Sequence, residues 1–256
     1  MPFDTDSLLP PNEVEVTPFL DEEEPPFIAQ ENWLENVTQT ICENMMSQDG
    51  GHRVPPMAFV RCSRGGKTRA LKEVGVQLKK IIPQAAIIYV SMNDLSGIEP
   101  WEQDDPTAAL CRRIAFAAQK RFDINKFELL TKFIVTPRQI TTWLGDTPCV
   151  LLVDELNLIK GLDGSSGSSA KATELARFMK EHFLKSKGRY FVFSSHIVSA
   201  VNSLAAYMES ASNRPVLAPE MPLIPNLRVA ANNFEWPDLN PREAIYYGNM
   251  PAMIYE

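Results

Sequence analysis

Residues that staple or metallate small proteins are scarce in this sequence. Of 256 residues, four are cysteine and three are histidine. Cys42, Cys62, Cys111 and Cys149 lie far apart, form no C-x-x-C pair and have no histidines clustered near them. That argues against a structural zinc site. Reduced thiols in an intracellular compartment, cytoplasmic or nuclear, are the expectation. No apolar run approaches the ~20 residues that a membrane-spanning helix requires. The N-terminus has no basic region followed by an apolar one, so no signal peptide is expected. Without a secretion signal, the glycosylation-like triplet Asn36-Val37-Thr38 reads as chance.

Residues 1–30 contain no Lys or Arg, yet they hold eight acids: Asp4, Asp6, Glu13, Glu15, Asp21, Glu22, Glu23 and Glu24. The whole chain has 32 acids and 25 bases, a net charge of −7. Setting the eight aside leaves 24 acids against those 25 bases, so the body is close to neutral. A balanced body is not the basic footprint of a nucleic-acid-binding protein, and it does not exclude one. Pro10-Pro11 and Pro25-Pro26 break the acidic stretch. It is expected to be a disordered or loosely docked arm, with Leu8, Leu9, Phe19, Leu20 and Phe27 available for docking.

The remainder has ordinary globular composition, with 45% hydrophobic and 22% charged residues. Helical spacing of apolar residues over 31–47 predicts an amphipathic helix through Leu34, Val37, Ile41 and Met45. After it, short apolar runs alternate with helical segments. The runs are Met57–Val60, Ala85–Val90, Cys149–Val153 and Tyr190–Phe193. The helical segments are Lys67–Ile82, Pro106–Phe122 and Ala170–Leu184. Several strands are apolar throughout, as expected where helices cover both faces of a sheet. The predicted class is α/β, a mostly parallel sheet flanked by helices, with a core over 31–235. The run of Gly and Ser over 164–169 predicts a flexible loop.

Two segments carry chemistry. The first, over 57–71, reads MAFVRCSRGGKTRAL. A strand leads into a turn formed by Ser63, Arg64, Gly65 and Gly66, and a helix begins at Lys67, Thr68 and Arg69. This is the context of a phosphate-binding loop. Glycine lets backbone N–H groups approach phosphate oxygens, and the helix N-terminus adds free donors and a positive dipole end. Lys67 would reach the phosphates, and the Thr68 hydroxyl would ligate Mg²⁺. Arg61 stands where the strict Walker A pattern has its first glycine. A positive φ there would be costly for arginine, so a different loop entry is expected.

The second segment, Val150-Leu151-Leu152-Val153-Asp154-Glu155, is an apolar strand ending in two carboxylates, the form of a Walker B strand. Asp154 would hold Mg²⁺ opposite Thr68, and Glu155 would polarise water as general base. Further polar strand ends are candidates for sensing the γ-phosphate: Asn93 after the second strand, and Ser194, Ser195 or His196 after the fourth. Arg214 is a candidate arginine finger or a plain surface residue. The ordered pair of motifs predicts a P-loop NTPase fold.

The segments Arg61–Leu71 and Leu152-Val153-Asp154-Glu155-Leu156-Asn157 resemble the NTPase module of Crinkler-type effectors and retrotransposon hot-spot proteins, on the AAA-like, additional-strand side of the P-loop class. The resemblance covers roughly residues 50–250. It implies a sheet of order 5-1-4-3-2, ATP or GTP with Mg²⁺, and family roles for Lys67, Thr68, Asp154 and Glu155. In many members a nuclease-like domain follows. The N-terminal module with which such effectors are secreted is not visible in this sequence, so delivery into a host does not carry over. From Pro241, through Gly248-Asn249-Met250-Pro251, the pattern resembles the start of a helical lid, giving 236–256 as the first part of one. A partner or self-association completing that lid is the expected interaction. Three functions stay open: a Mg²⁺-dependent nucleoside-triphosphatase, a non-hydrolysing nucleotide-binding interaction module, and a small-molecule or nucleoside kinase. The last lacks an arginine cluster after Pro148.

Overall fold

A computed structural model describes residues 3–16, 32–47, 53–62, 66–93, 97–120, 133–159, 170–196 and 215–222, together with Phe27, Ala29, Phe127, Leu162 and four positions between 201 and 206. Its centre is a sheet of four parallel strands: β1 (Met57–Val60), β2 (Ala86–Ser91), β3 (Cys149–Asp154) and β4 (Arg189–Ser195). Their spatial order is β1-β4-β3-β2. β2, β3 and β4 are buried along their whole length, which is why they read as continuous apolar runs and not as alternating ones. Among the described residues five α-helices accompany them: α1 (Trp33–Met46), α2 (Lys67–Ile81), α3 (Pro106–Ala117), α4 (Pro137–Leu144) and α5 (Ala170–Met179).

The order 1-4-3-2 agrees with that part of the order implied by the resemblance. The place of a fifth strand, beside β1, holds one parallel bridge from Leu217 to Met57. There Leu217 N–H donates to Pro56 O at 2.9 Å, and Ala58 N–H donates to Leu217 O at 2.7 Å.

Helix starts follow local chemistry. In α3, Asp105 accepts from Ala108 N–H and Pro106 takes the first position, where no donor is needed. In α4, Thr136 and Gln139 form a reciprocal capping box behind Pro137. Sequence periodicity missed α4 because eight residues hold too few apolar repeats to stand out. α5 passes into a π-turn over Lys180–Leu184, so the single helix expected to Leu184 changes its winding before it ends.

Over residues 3–16 the N-terminal segment takes the docked one of its two expected forms. Residues 3–16 are not a free arm. Phe3, Leu8, Val14 and Val16 are buried in the main core. Two short 3₁₀ turns, Thr5–Ser7 and Pro11–Glu13, carry the chain past α3 and α4 to the edge strand β2. Leu9 N–H donates to Ala118 O at 2.7 Å, and Trp143 Nε1–H donates to Leu9 O at 2.8 Å. The acidic composition misled because the apolar residues sit singly between acids, which face outward while Val14 and Val16 point in. The acids at 21–24, with Phe19 and Leu20, lie outside the described residues, as do the Gly/Ser loop at 164–169 and the lid expected over 236–256.

Candidate functional site

Parallel strands all end on one side, so the C-terminal ends of β1, β3 and β4 gather their polar residues there. β1 leads toward α2, whose first residues are Lys67 and Thr68. Gly66, the residue before α2, has φ +80°, a left-handed conformation that glycine adopts without steric cost. Arg61 is not among the positive-φ residues. Its guanidinium instead donates to the carbonyls of Met221 and Pro222, the latter at 2.7 Å. The loop thus enters without the backbone twist that a first glycine would permit. Ser63, Arg64 and Gly65 lie outside the described residues.

β3 supplies the carboxylates. Thr68 Oγ1 donates to Asp154 Oδ2 at 2.7 Å, and Tyr89 OH donates to the same oxygen at 3.3 Å. Ser194 Oγ donates to Asp154 Oδ1 and accepts from Glu155 N–H at 2.9 Å. One serine therefore orients both acidic residues. Burial pushes the Asp154 carboxyl above its usual range. The hydrogen bonds from Ser194, Thr68 and Tyr89 oppose that push, and the adjacent Glu155 adds to it. Only 1% of Asp154 is exposed.

Glu155 sits at φ +55°, uncommon for a residue with a side chain and the kind of strain found at working sites. Lys67 Nζ lies 3.5 Å from its Oε1 and donates to Cys62 O at 3.1 Å. His196 Nδ1 lies 3.0 Å from Oε2. Burial alone would raise the Glu155 carboxyl, but the His196 contact and the Lys67 charge outweigh it and hold it low. The two acids are thus driven apart: Asp154 upward by its dry surroundings, Glu155 downward by cations and donors.

The structure therefore brings Lys67, Thr68, Asp154, Glu155, Ser194 and His196 together. Ser195 is buried on β4 and accepts from Arg61 N–H through its carbonyl at 3.3 Å. Asn93 is exposed just past β2, where its N–H donates to Ser91 Oγ at 3.1 Å. Arg69 pairs with Glu73 one turn along α2 at 2.6 Å. Arg214 lies outside the described residues. Sequence reading missed Tyr89 and Asn157. Tyr89 lies opposite Leu152 across the β2–β3 ladder, and its only signal was a hydroxyl in an apolar run. Asn157 stands two residues past Glu155 in the 3₁₀ turn Leu156–Leu158.

Hydroxyl and carboxylate oxygens are the donors that Mg²⁺ prefers. That ion is commonly held by one or two protein groups together with phosphate oxygens. Thr68 and Asp154 fit this demand: a buried carboxylate raised by desolvation lies hydrogen-bonded to a threonine hydroxyl. Among the described residues, no three His, Cys, Asp or Glu side chains group as a metal cage, which the same chemistry does not require. No helix among the described residues is long and apolar enough to cross a membrane.

No known protein-family model matches this sequence, and no curated protein does. Solved structures do. The ORC1 protein of Aeropyrum pernix, solved in complex with DNA, superposes with a TM-score of 0.52 at 14% identity, over 93% of this chain and 60% of that one. The Walker-type ATPase paby2304 of Pyrococcus abyssi gives 0.51 at 12% identity, over 91% and 69%. The chain thus spans less than two thirds of the ORC1 protein. At such identities the likeness speaks to the fold alone. That fold is α/β, a parallel sheet flanked by helices, shared with that Walker-type ATPase.

Proposed function

We propose that this chain binds a nucleoside triphosphate with Mg²⁺ and hydrolyses it. The observation that carries the reading is the meeting of two distant segments at one point: Thr68, from the phosphate-loop helix, bonds Asp154, from the end of β3, at 2.7 Å. Lys67 and Glu155 meet beside them. Four residues assigned from motif order alone converge in space. The ATPase fold and the site chemistry support the same conclusion.

Each residue has a role its surroundings suit. Lys67 is 4% exposed, so its charge acts on phosphate oxygens with little screening. Backbone N–H groups at the start of α2 would share that load. Thr68 and Asp154 would hold Mg²⁺, which when bound neutralises phosphate charge. Glu155, kept ionised by its neighbours, would accept a proton from the attacking water. Ser194 locks the Walker B end so that both carboxylates keep their places. ATP and GTP are equally open.

A non-hydrolysing nucleotide-binding module is the second reading. The Lys67–Glu155 ion pair favours it, because cation and base neutralise each other. Glu155→Gln decides between the two. Turnover present in the wild type and lost in the variant, with nucleotide affinity nearly unchanged, is the expected outcome. Phosphate release matching buffer in both would leave the binding module. The Crinkler-type assignment rests on the Arg61–Leu71 and Leu152–Asn157 segments. The Aeropyrum ORC1 protein was solved with DNA, but the near-neutral body of this chain supplies no basic footprint for one.

A further inference from the structure

Asn157 has no part in the chemistry described so far, yet it is 2% exposed and lies between Glu155 and His196. Its Oδ1 accepts from the His196 backbone N–H at 3.2 Å. That bond fixes which end of the amide faces the imidazole: Nδ2 lies 2.9 Å from His196 Nδ1. An amide nitrogen can only donate, so the contact requires Nδ1 to accept. On its other side, Nδ1 lies 3.0 Å from Glu155 Oε2. An ionised carboxylate can only accept, so this contact requires Nδ1 to donate. One ring nitrogen cannot do both. The two bonds are alternatives within one set of side chains, and exchanging them needs almost no movement.

We propose that Asn157 is a positioning residue that competes with Glu155 for His196 Nδ1 and thereby sets whether Glu155 is held or free to orient water. The inference rests on the reading of Glu155 as the base. In the held state Nδ1 carries the ring hydrogen and donates to Glu155 Oε2. In the released state the hydrogen is on Nε2, and Nδ1 accepts from Asn157. The ring loses a proton from one nitrogen and gains one on the other through solvent, so its charge does not change. The His196 side chain is 37% exposed, which gives water access for this exchange. Lys67 governs the other carboxylate oxygen. Once Lys67 turns to phosphate, His196 is the remaining restraint, and Asn157 relieves it.

Imidazole ¹⁵N shifts read the competition directly. The protein is labelled at its three histidines and held near pH 8, above the ordinary imidazole range. His196 is assigned by loss of its signals in His196→Ala. Nδ1 in the wild type is expected between the protonated and unprotonated values, and in Asn157→Ala at the protonated value. Unchanged shifts would overturn the proposal. Turnover gives a second readout. Asn157→Ala is expected to lower kcat about 3- to 30-fold, the coupling range of residues in contact, with KM unchanged. In a His196→Ala background it is expected to do nothing, because the competition is gone. Additive effects would mark a purely structural role and overturn the proposal. Should Asn157→Ala fail to fold, Asn157→Asp keeps the acceptor for His196 N–H and removes the donor, and the same shift is expected. Wild-type turnover in Glu155→Gln would instead show that the base assignment has failed, a result distinct from unchanged ring shifts.

Discussion

Lys67 is the side chain proposed to meet phosphate. Its ammonium is buried, donates to the Cys62 carbonyl and lies 3.5 Å from Glu155. A desolvated cation on a mobile stem, held by one carbonyl and one long ion pair, gains when phosphate oxygens replace those partners. Removing it should weaken nucleotide binding by ~2–4 kcal/mol in Lys67→Ala, as for other truncations of buried charged contacts. Titration calorimetry against the Mg-nucleotide checks this, and equal affinities for the two proteins would remove the loop from the site. At this scale the grouping of Lys67, Thr68, Asp154 and Glu155 was legible from motif order. The roles proposed for them rest on phosphate and Mg²⁺ chemistry, which favours those residue types at strand ends and helix starts. Tyr89 and Asn157 were not, because their roles depend on which strand or turn lies alongside, and that is settled only by packing.

Among the elements, the 3₁₀ turn Pro100–Asp104 is fastened to α3 by charge. Glu102 is fully buried and bonds both Arg112 and Arg113, each at 2.8 Å. Trp101 and Phe127 lie over the two guanidiniums. Burial would raise the Glu102 carboxyl, but the hydrogen bonds and charge of the two arginines outweigh it and bring it below its ordinary 4.5. Glu102→Gln would take the shared carboxylate away from two buried cations and should cost ~3–5 kcal/mol near neutral pH. The sign of the pH dependence follows from the lowered value. The contribution is complete above the ordinary glutamate range and is lost as pH falls through the lower folded-state pKa. The gap between wild type and variant in urea denaturation should therefore narrow on acidification; a gap that widens would contradict the assignment. A second contact joins α2 to the N-terminal segment. A methyl group on Gly75 would lie 2.6 Å from Val16 Cγ1 and 2.9 Å from Leu152 Cδ1. Gly75→Ala should destabilise by ~1–3 kcal/mol through overpacking, less up to ~1 kcal/mol of gained helix preference. Adding Val16→Ala should recover part of the loss; no recovery would mean that Val16 does not rest on α2. Helices α1, α2, α3 and α5 were visible from their apolar period. The Glu102 anchor was not, because a charged pair in a polar-looking stretch reads as solvated surface until its burial is known.

For the molecule as a whole, segments outside the strands contact both end strands of the sheet. The segment 215–222 lies along β1 through the Leu217 bridge, and Trp33 Nε1–H donates to Glu220 O at 2.6 Å. Residues 3–16 pass β2 on the opposite side, with Phe3, Leu8, Val14 and Val16 in the core. Strand edges left bare are templates for association between chains, so these flanking segments bear on solubility as well as stability. Composition by itself predicts a dispensable arm, whose removal would move the melting temperature by no more than about 3 °C. The packing predicts otherwise. Deleting residues 1–16 removes four buried apolar side chains, each worth ~1.5–3 kcal/mol when fully buried. It also strips the partners of Trp143 Nε1 and of Gln139 Nε2, which donates to Phe3 O at 2.9 Å. Ordering the segment costs entropy that offsets much of this, so a net loss of about 3 kcal/mol is expected. For a domain of this size that lowers the melting temperature by roughly 6–12 °C. The apolar surface bared by the deletion should also make the truncated chain associate at concentrations where the full chain does not. Calorimetric melting and sedimentation of the two chains side by side measure both effects. A shift within 3 °C and unchanged sedimentation would return residues 3–16 to the solvated arm that their composition suggests.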